Sequence, residues 1–333
     1  MKNQTLFFNT PIAITHTASI AGPKEGEGPL GQYFDYVLDD DLLGQKSHEL
    51  AEIQMQLRAI KNIMNQAHLG VDDVDCVFGG DLLDEIVGCN FAMRELDIPF
   101  MGLYNACATF GEALILGSVM LDSGHMDKVI CTTTSHYATA ERQYRYPLEL
   151  GAPRTPLAQW TVTGAGCCLL QKSDDVRIKI TCATIGKVMD YGVTDANDMG
   201  AVMVPAAMDT IITHFTDTGR GPEYYDLIVT GDLGHAGGRL LQKLIKKKGY
   251  NLDNNYTDGG ILIFNREAQD VDQGGSGASC STLVFSSYIY TQLKRGNLKK
   301  VLLVPTGALL SKTSSLQGET IPSIAHAVSI EVI

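Results

Sequence analysis

A single cysteine set among small residues, in the run Met101-Gly102-Leu103-Tyr104-Asn105-Ala106-Cys107-Ala108-Thr109-Phe110-Gly111, is the first group in this chain equipped for chemistry. An apolar run precedes it and a helical pattern follows (Leu114, Leu116, Met120, Leu121), which predicts a thiol at a helix start on the tip of a buried strand. The helix dipole and free backbone N–H groups there favour anions and lower a thiol pKa, and small neighbours leave room for approach. Most buried cysteines are only small hydrophobes; the setting raises Cys107 above that expectation.

The elements that must position this thiol read as one plan used twice. Residues 5–20 predict an opening strand, followed by a Gly/Pro-rich loop from Ala21 to Gly31 and an acidic stretch at Asp39, Asp40 and Asp41. Ser47 is the expected N-cap of a helix with Glu49 in its first turn and Leu50, Ile53, Leu57, Ile60 and Met64 on one face. A short apolar strand, Val74 to Leu82, ends in Gly79-Gly80-Asp81, and another is expected at Lys128 to Thr134. Tyr225 to Leu233 matches Val74 to Leu82 at an offset of 151, with Asp226 on Asp75, Gly231 on Gly80 and Asp232 on Asp81. Ser279-Cys280-Ser281-Thr282 answers Ala106 to Thr109, and Gly296 to Val301 answers Gly124 to Val129. Three matches in the same order predict a duplicated α/β unit with largely parallel sheets, divided near Lys172 into residues 1–172 and 173–333. Equivalent strand ends then meet at one central site, because open α/β sheets bind ligands beyond their carboxyl ends.

Composition narrows the function classes. The chain has 333 residues, 44% hydrophobic and 19% charged, enough for an ample core. It contains no run of eighteen apolar residues, and its start lacks a signal-peptide pattern, so the expected setting is intracellular. A formal charge of −12 argues against a nucleic-acid partner and gives no overall attraction to an anionic membrane. Lys243, Lys246, Lys247 and Lys248 read as the polar end of a helix rather than a docking patch. Eight cysteines without a Cys-x-x-Cys pair fit reduced thiols better than disulfides or zinc.

The order of strand, Gly-Asp-Leu, Cys-helix, strand, Thr-Gly-Ala-Gly and a second copy resembles the thiolase superfamily, nearest in outline to ketoacyl synthase III. Residues 35–333 further resemble a family of stage V sporulation proteins within it. The resemblance rests on Arg154 to Gly166, Val229 to Gly234 and Gln317 to Ala327. It implies an α/β, five-layered αβαβα fold of two pseudo-symmetric halves, paired as a homodimer. It also implies a pocket for dipicolinic acid (pyridine-2,6-dicarboxylate), taken up into the developing forespore. The partners implied are membrane proteins of the same operon, with the chain peripheral to the forespore or spore inner membrane. No resident cofactor is implied; calcium is a candidate only as an ion brought with the ligand.

In condensing enzymes of the superfamily the cysteine works with histidine and asparagine, or with histidine and a second cysteine. Here the histidine register falls at Gly231 or Asp232, with His235 three or four residues late, and Gly275 takes the asparagine's place. The expectation is a pocket kept and a triad lost; the alternative is an active acyl-transfer enzyme using Cys107 with His235 as base. The candidate ligand-binding residues are Cys107, Asp81, Asp232, Gly231, His235, Gly275, Ser276, Thr133, His136 and Arg154. Amides around Cys107 and from Gly274 to Gly277 are the expected donors for two carboxylates. Arg154 and Arg142 are the side-chain alternatives, and Trp160 and Tyr104 candidate flat walls. Asp81 and Asp232 would orient donors, carry a proton, or meet calcium, against the commoner role of capping the next helix.

Overall fold

Strands buried on both faces should read as unbroken apolar runs, and here alternate residues of each run enter different cores. In Lys128–Ser135, Val129 and Cys131 join a central cluster while Ile130 packs outward; in Lys300–Val304, Val301 and Leu303 face the centre while Leu302 and Val304 face out. The computed structural model describes residues 3–144 and 154–333. Among these, a mixed sheet of eleven strands forms the frame. Its order is Tyr256–Asp258, Leu227–Thr230, Lys300–Val304, Ala327–Val332, Ile178–Thr184, Thr5–Ala21, Gly164–Gln171, Lys128–Ser135, Cys76–Gly80, Phe100–Gly102, with Tyr36–Val37 pairing alongside Thr5–Ala21.

Read from either edge to the middle, the two halves repeat each other: two parallel pairings, then two antiparallel ones. The antiparallel pair Thr5–Ala21 and Ile178–Thr184 joins them. The expectation of largely parallel sheets is thus corrected. Only the three outer strands of each half are parallel, because the chain returns to the sheet centre by antiparallel neighbours. Residue 172 lies between Gly164–Gln171 and Ile178–Thr184, strands of different halves.

Helices fill the layers. Thr109–Asp122 and Ala278–Val284 lie in the central cluster, where Phe110 and Phe285 stand 6.0 Å apart with residues of both half-sheets around them. Burying side chains of this size stabilises by roughly 2–3 kcal/mol each. His48–Gln66 covers one outer face, and Met199–Thr218 with Gly234–Lys247 covers the other. Ser47 caps the first of these through Leu50 N–H, as expected. Leu50 itself is exposed, since it falls in the first turn before the helix meets the sheet.

The duplication extends to hydrogen bonds. Asp75 accepts from the N–H groups of Asp127 and Lys128, and Asp226 accepts from those of Lys299 and Lys300, all at 2.7–2.9 Å. Gly124 and Gly296, with φ of 79° and 75°, stop the preceding central helices in the left-handed conformation glycine tolerates.

Candidate functional site: a buried thiol and carboxylate

Cys107 does not follow a buried strand. Among the described residues Phe100–Gly102 pairs only with Cys76–Gly80, lies at the sheet edge and is largely exposed, so the chain must turn inward to bury the thiol. It does so in a single 3-10 turn, Ala106–Ala108, with Ala106 at φ 49°, a left-handed value that costs a non-glycine residue of order 1 kcal/mol. The strand Thr306–Ala308 packs against this turn: a Cβ on Gly307 would lie 2.3 Å from the Asn105 carbonyl oxygen.

Opposite the thiol stands Asp232, fully buried. Its carboxylate accepts from Ser276 Oγ at 2.8 Å, Thr306 Oγ1 at 2.7 Å and the Gly277 N–H at 3.3 Å. Cys107 Sγ lies 3.9 Å from Ser276 Oγ. Burial raises the Asp232 pKa, and the hydrogen bonds from Thr306, Ser276 and Gly277 oppose that rise. Burial also pushes the Cys107 thiol well above its ordinary value, and the neighbouring Asp232 charge pushes it further. The expectation of an acidified thiol is therefore overturned: desolvation and a facing carboxylate outweigh the one-turn helix start.

A cavity of about 60 Å³ lies over these groups, floored by Cys107, Ser276 and Gly277 and walled by Tyr104, Met199 and Met203. Glu141 also lines it and accepts from Thr161 Oγ1 at 2.9 Å. No lysine, arginine or histidine among the described residues lines this cavity. Tyr104, Tyr144 and Leu310 are shared with a wider outer groove of about 630 Å³, which carries Lys312 and Asp84. The two together form one inlet, narrow and acidic within, broad and mixed at its mouth.

Several expected site residues have other roles. Asp81 accepts from the N–H groups of Leu83 and Cys89 at 2.8 and 2.7 Å, capping the helix Val87–Leu96. In the second half that role passes to Asp258, which accepts from Leu233, Gly234 and Gly260, leaving Asp232 free to accept from Ser276 and Gly277 beneath the cavity. Thr133 bonds the Ala278 carbonyl and Thr282, tying strand to central helix. His136 accepts from Ala138 N–H and reaches the Asp41 carbonyl, and burial lowers its pKa. His235 does not line the cavity; it is half-buried, with its pKa lowered first by burial and then by Arg266 and Arg239. Arg154 contacts Asp270 and Asp272 and stacks over Trp160, and Arg142 pairs with Glu49, so neither faces the thiol. Trp160 stacks on Tyr137 instead of walling the inlet.

Gly275 packs near Ile263, Val162 and Phe264, whereas Ser276, also among the expected site residues, brings its hydroxyl to the thiol. Gly231 N–H bonds the Val304 carbonyl, and its own carbonyl accepts from Gly260. The amides expected as carboxylate donors are partly engaged inside the protein: Gly274 N–H with Val271 and Gly277 N–H with Asp232. His326 is buried, bonded by Gly186 N–H, with its pKa lowered by burial to about 4, and does not line the cavity.

Glu141, Thr306, Met199 and Met203 were not legible as site residues. Thr306 reaches Asp232 because Val304 pairs with Thr230, a register visible only once the strands are placed.

Two mirrored half-sheets around buried central helices, with a cysteine at the start of one of them, define a thiolase-like protein. Solved structures of this class share the fold. An OleA variant from Xanthomonas campestris has a TM-score of 0.62 at 13% identity, covering 98% of this chain and 99% of that one. The 3-oxoacyl-[acyl-carrier-protein] synthase III from Aquifex aeolicus VF5 has a TM-score of 0.56 at 14% identity, covering 96% and 99%. Residues 2–331 match the family described as Stage V sporulation protein AD (SpoVAD), and the chain belongs to that family. It is 44% identical over 328 residues to the Stage V sporulation protein AD of Bacillus subtilis (strain 168), covering 98% of this chain and 96% of that protein.

Proposed function

We propose that this protein is a non-catalytic binding protein for dipicolinic acid, acting in its uptake into the developing forespore. The observation that carries the non-catalytic part is the Cys107–Ser276–Asp232 arrangement. A condensing enzyme needs a thiolate and donors for an oxyanion. Here the thiol is held neutral, and the hydroxyls around it point at a carboxylate. The ligand's identity rests on the family resemblance, and the inlet's form is compatible with it: a planar ring suits a slot bounded by Tyr104 and two methionines.

Charge decides how such a ligand would sit. A free dianion entering the inner cavity would meet Glu141 in its wall and, behind the Ser276 and Gly277 floor, the buried Asp232 carboxylate. Calcium carried in with the ligand offsets both, since hard cations prefer carboxylate oxygens. Removing calcium should therefore weaken binding; equal affinity with calcium and with chelator removes this part of the proposal. The protein acts as a homodimer beside stage V membrane proteins, and the open edge strand Phe100–Gly102, with Met101 49% exposed, offers an unpaired side for a second copy. Among the described residues no helix is long and apolar enough to cross a membrane, so the chain would work at the membrane's surface.

The enzyme alternative is tested with labelled acyl-coenzyme A. The proposal expects no covalent adduct at Cys107. An adduct that forms and turns over would overturn it.

A further inference from the structure

The helix Gly234–Lys247 buries Leu241 and Ile245 and presents Arg239, Lys243, Lys246 and Lys247 along its opposite side, at the i, i+4, i+7, i+8 spacing of one helical face. Lys248 continues the line. Five of the chain's 26 Lys and Arg residues thus stand within ten residues that carry no Asp or Glu, in a protein of net charge −12. Leu240, 38% exposed, lies beside Arg239 and Lys243. Beyond the effect of burial, Arg266 and Arg239 both lie near enough to His235 to lower its pKa. The neighbouring acids are Asp253, 3.1 Å from Lys246, and Glu267, next in sequence to Arg266. The lysines stand at the C-terminal end of the helix, as the sequence reading has them, and Arg239 extends the charge one turn further back along the same face.

We propose that this face docks the protein on an anionic lipid surface. The stripe extends about 14 Å along an exposed helix, long enough to lie across several headgroups. An exposed leucine amid the cations supplies the apolar contact that an interfacial helix uses. The acidic remainder of the protein does not cancel the attraction. Charges are screened over about 8 Å at physiological ionic strength, whereas a chain of this length has a radius of gyration of about 20 Å. The inference rests on the reading that the protein works beside a membrane, and it says which side faces the lipid.

The test is sedimentation of the full chain with vesicles of phosphatidylcholine alone and of phosphatidylcholine mixed equally with phosphatidylglycerol. Binding to the mixed vesicles only, falling with added salt, is expected. Arg239→Gln, Lys243→Gln and Lys247→Gln should each weaken partition roughly fivefold. Equal binding to both vesicles, no binding by the unaltered protein, or full binding by the triple variant would overturn the proposal. An acidic protein partner is the reading left by the second outcome. Dipicolinate titration of the same proteins separates the two claims: the triple variant should bind dipicolinate as the unaltered chain does, and loss there alone would indicate misfolding. Absence of dipicolinate binding in every protein would count against the proposed ligand and leave the vesicle result standing.

Discussion

At Cys107, the competition between a helix start and a facing carboxylate decides the chemistry. Burial first, and then the neighbouring Asp232, both favour the neutral thiol. Asp232→Asn should therefore lower the thiol pKa and speed alkylation by iodoacetamide at neutral pH, severalfold or more. An unchanged rate would mean Asp232 does not govern the sulfur. Glu25 makes a second prediction. Its side chain is buried, accepts from Thr163 N–H, leaves one oxygen without a partner, and has its pKa raised by burial to about 7. A carboxyl raised in the folded state contributes stability below its unfolded value and loses it as pH rises through about 7. Melting temperature should accordingly fall from about pH 5 to pH 8, by a Glu25 share of up to roughly 3 kcal/mol. Glu25→Gln should flatten that fall, and a parallel fall in the variant would sink the assignment. At this scale the sequence revealed residue types but not directions. Cys107 and Asp232 stood out because each ends a strand motif, yet Asp81, with the same motif, caps a helix. Only the placement of Asp258 distinguishes the two.

Among the elements, the duplication is the strongest regularity. Asp75 and Asp226 bind equivalent backbone N–H pairs at the start of equivalent strands, each tying a loop to the sheet. Asp75→Ala and Asp226→Ala should each cost about 1 kcal/mol, similar in size and additive in the double variant, because the sites are separate. Unequal or strongly coupled losses in chemical denaturation would argue that the halves are not energetically equivalent. Much of this level was legible. The apolar runs, the Ser47 cap and the offset of 151 residues located strands and helices, since period and capping are local signals. What escaped was non-local. The edge position of Phe100–Gly102 and the antiparallel pairs depend on which strands become neighbours, and no local pattern records that. The same limit hid Thr306, which reaches Asp232, and Glu141, which lines the cavity, both from elements remote from Cys107 in sequence.

For the whole molecule, the thiolase-like frame holds an inlet over its cysteine, with Glu141 in the wall and the Asp232 carboxylate buried behind Ser276 and Gly277. An acidic inner cavity with a mixed mouth is suited to a ligand whose charge is partly neutralised on entry. The basic helix face gives the same molecule a side that an anionic surface can hold. Family membership was legible because long, specific phrases such as Arg154 to Gly166 carry the resemblance, whereas the ligand's pose depends on a cavity assembled from both halves. The most direct measurement is calorimetric titration with dipicolinate in the presence of calcium, alongside pyridine-2-carboxylate and phthalate. Saturable heat with dipicolinate, and little with either control, is the predicted result. No heat and no shift in melting temperature with dipicolinate, or equal binding of all three, would contradict the proposed function.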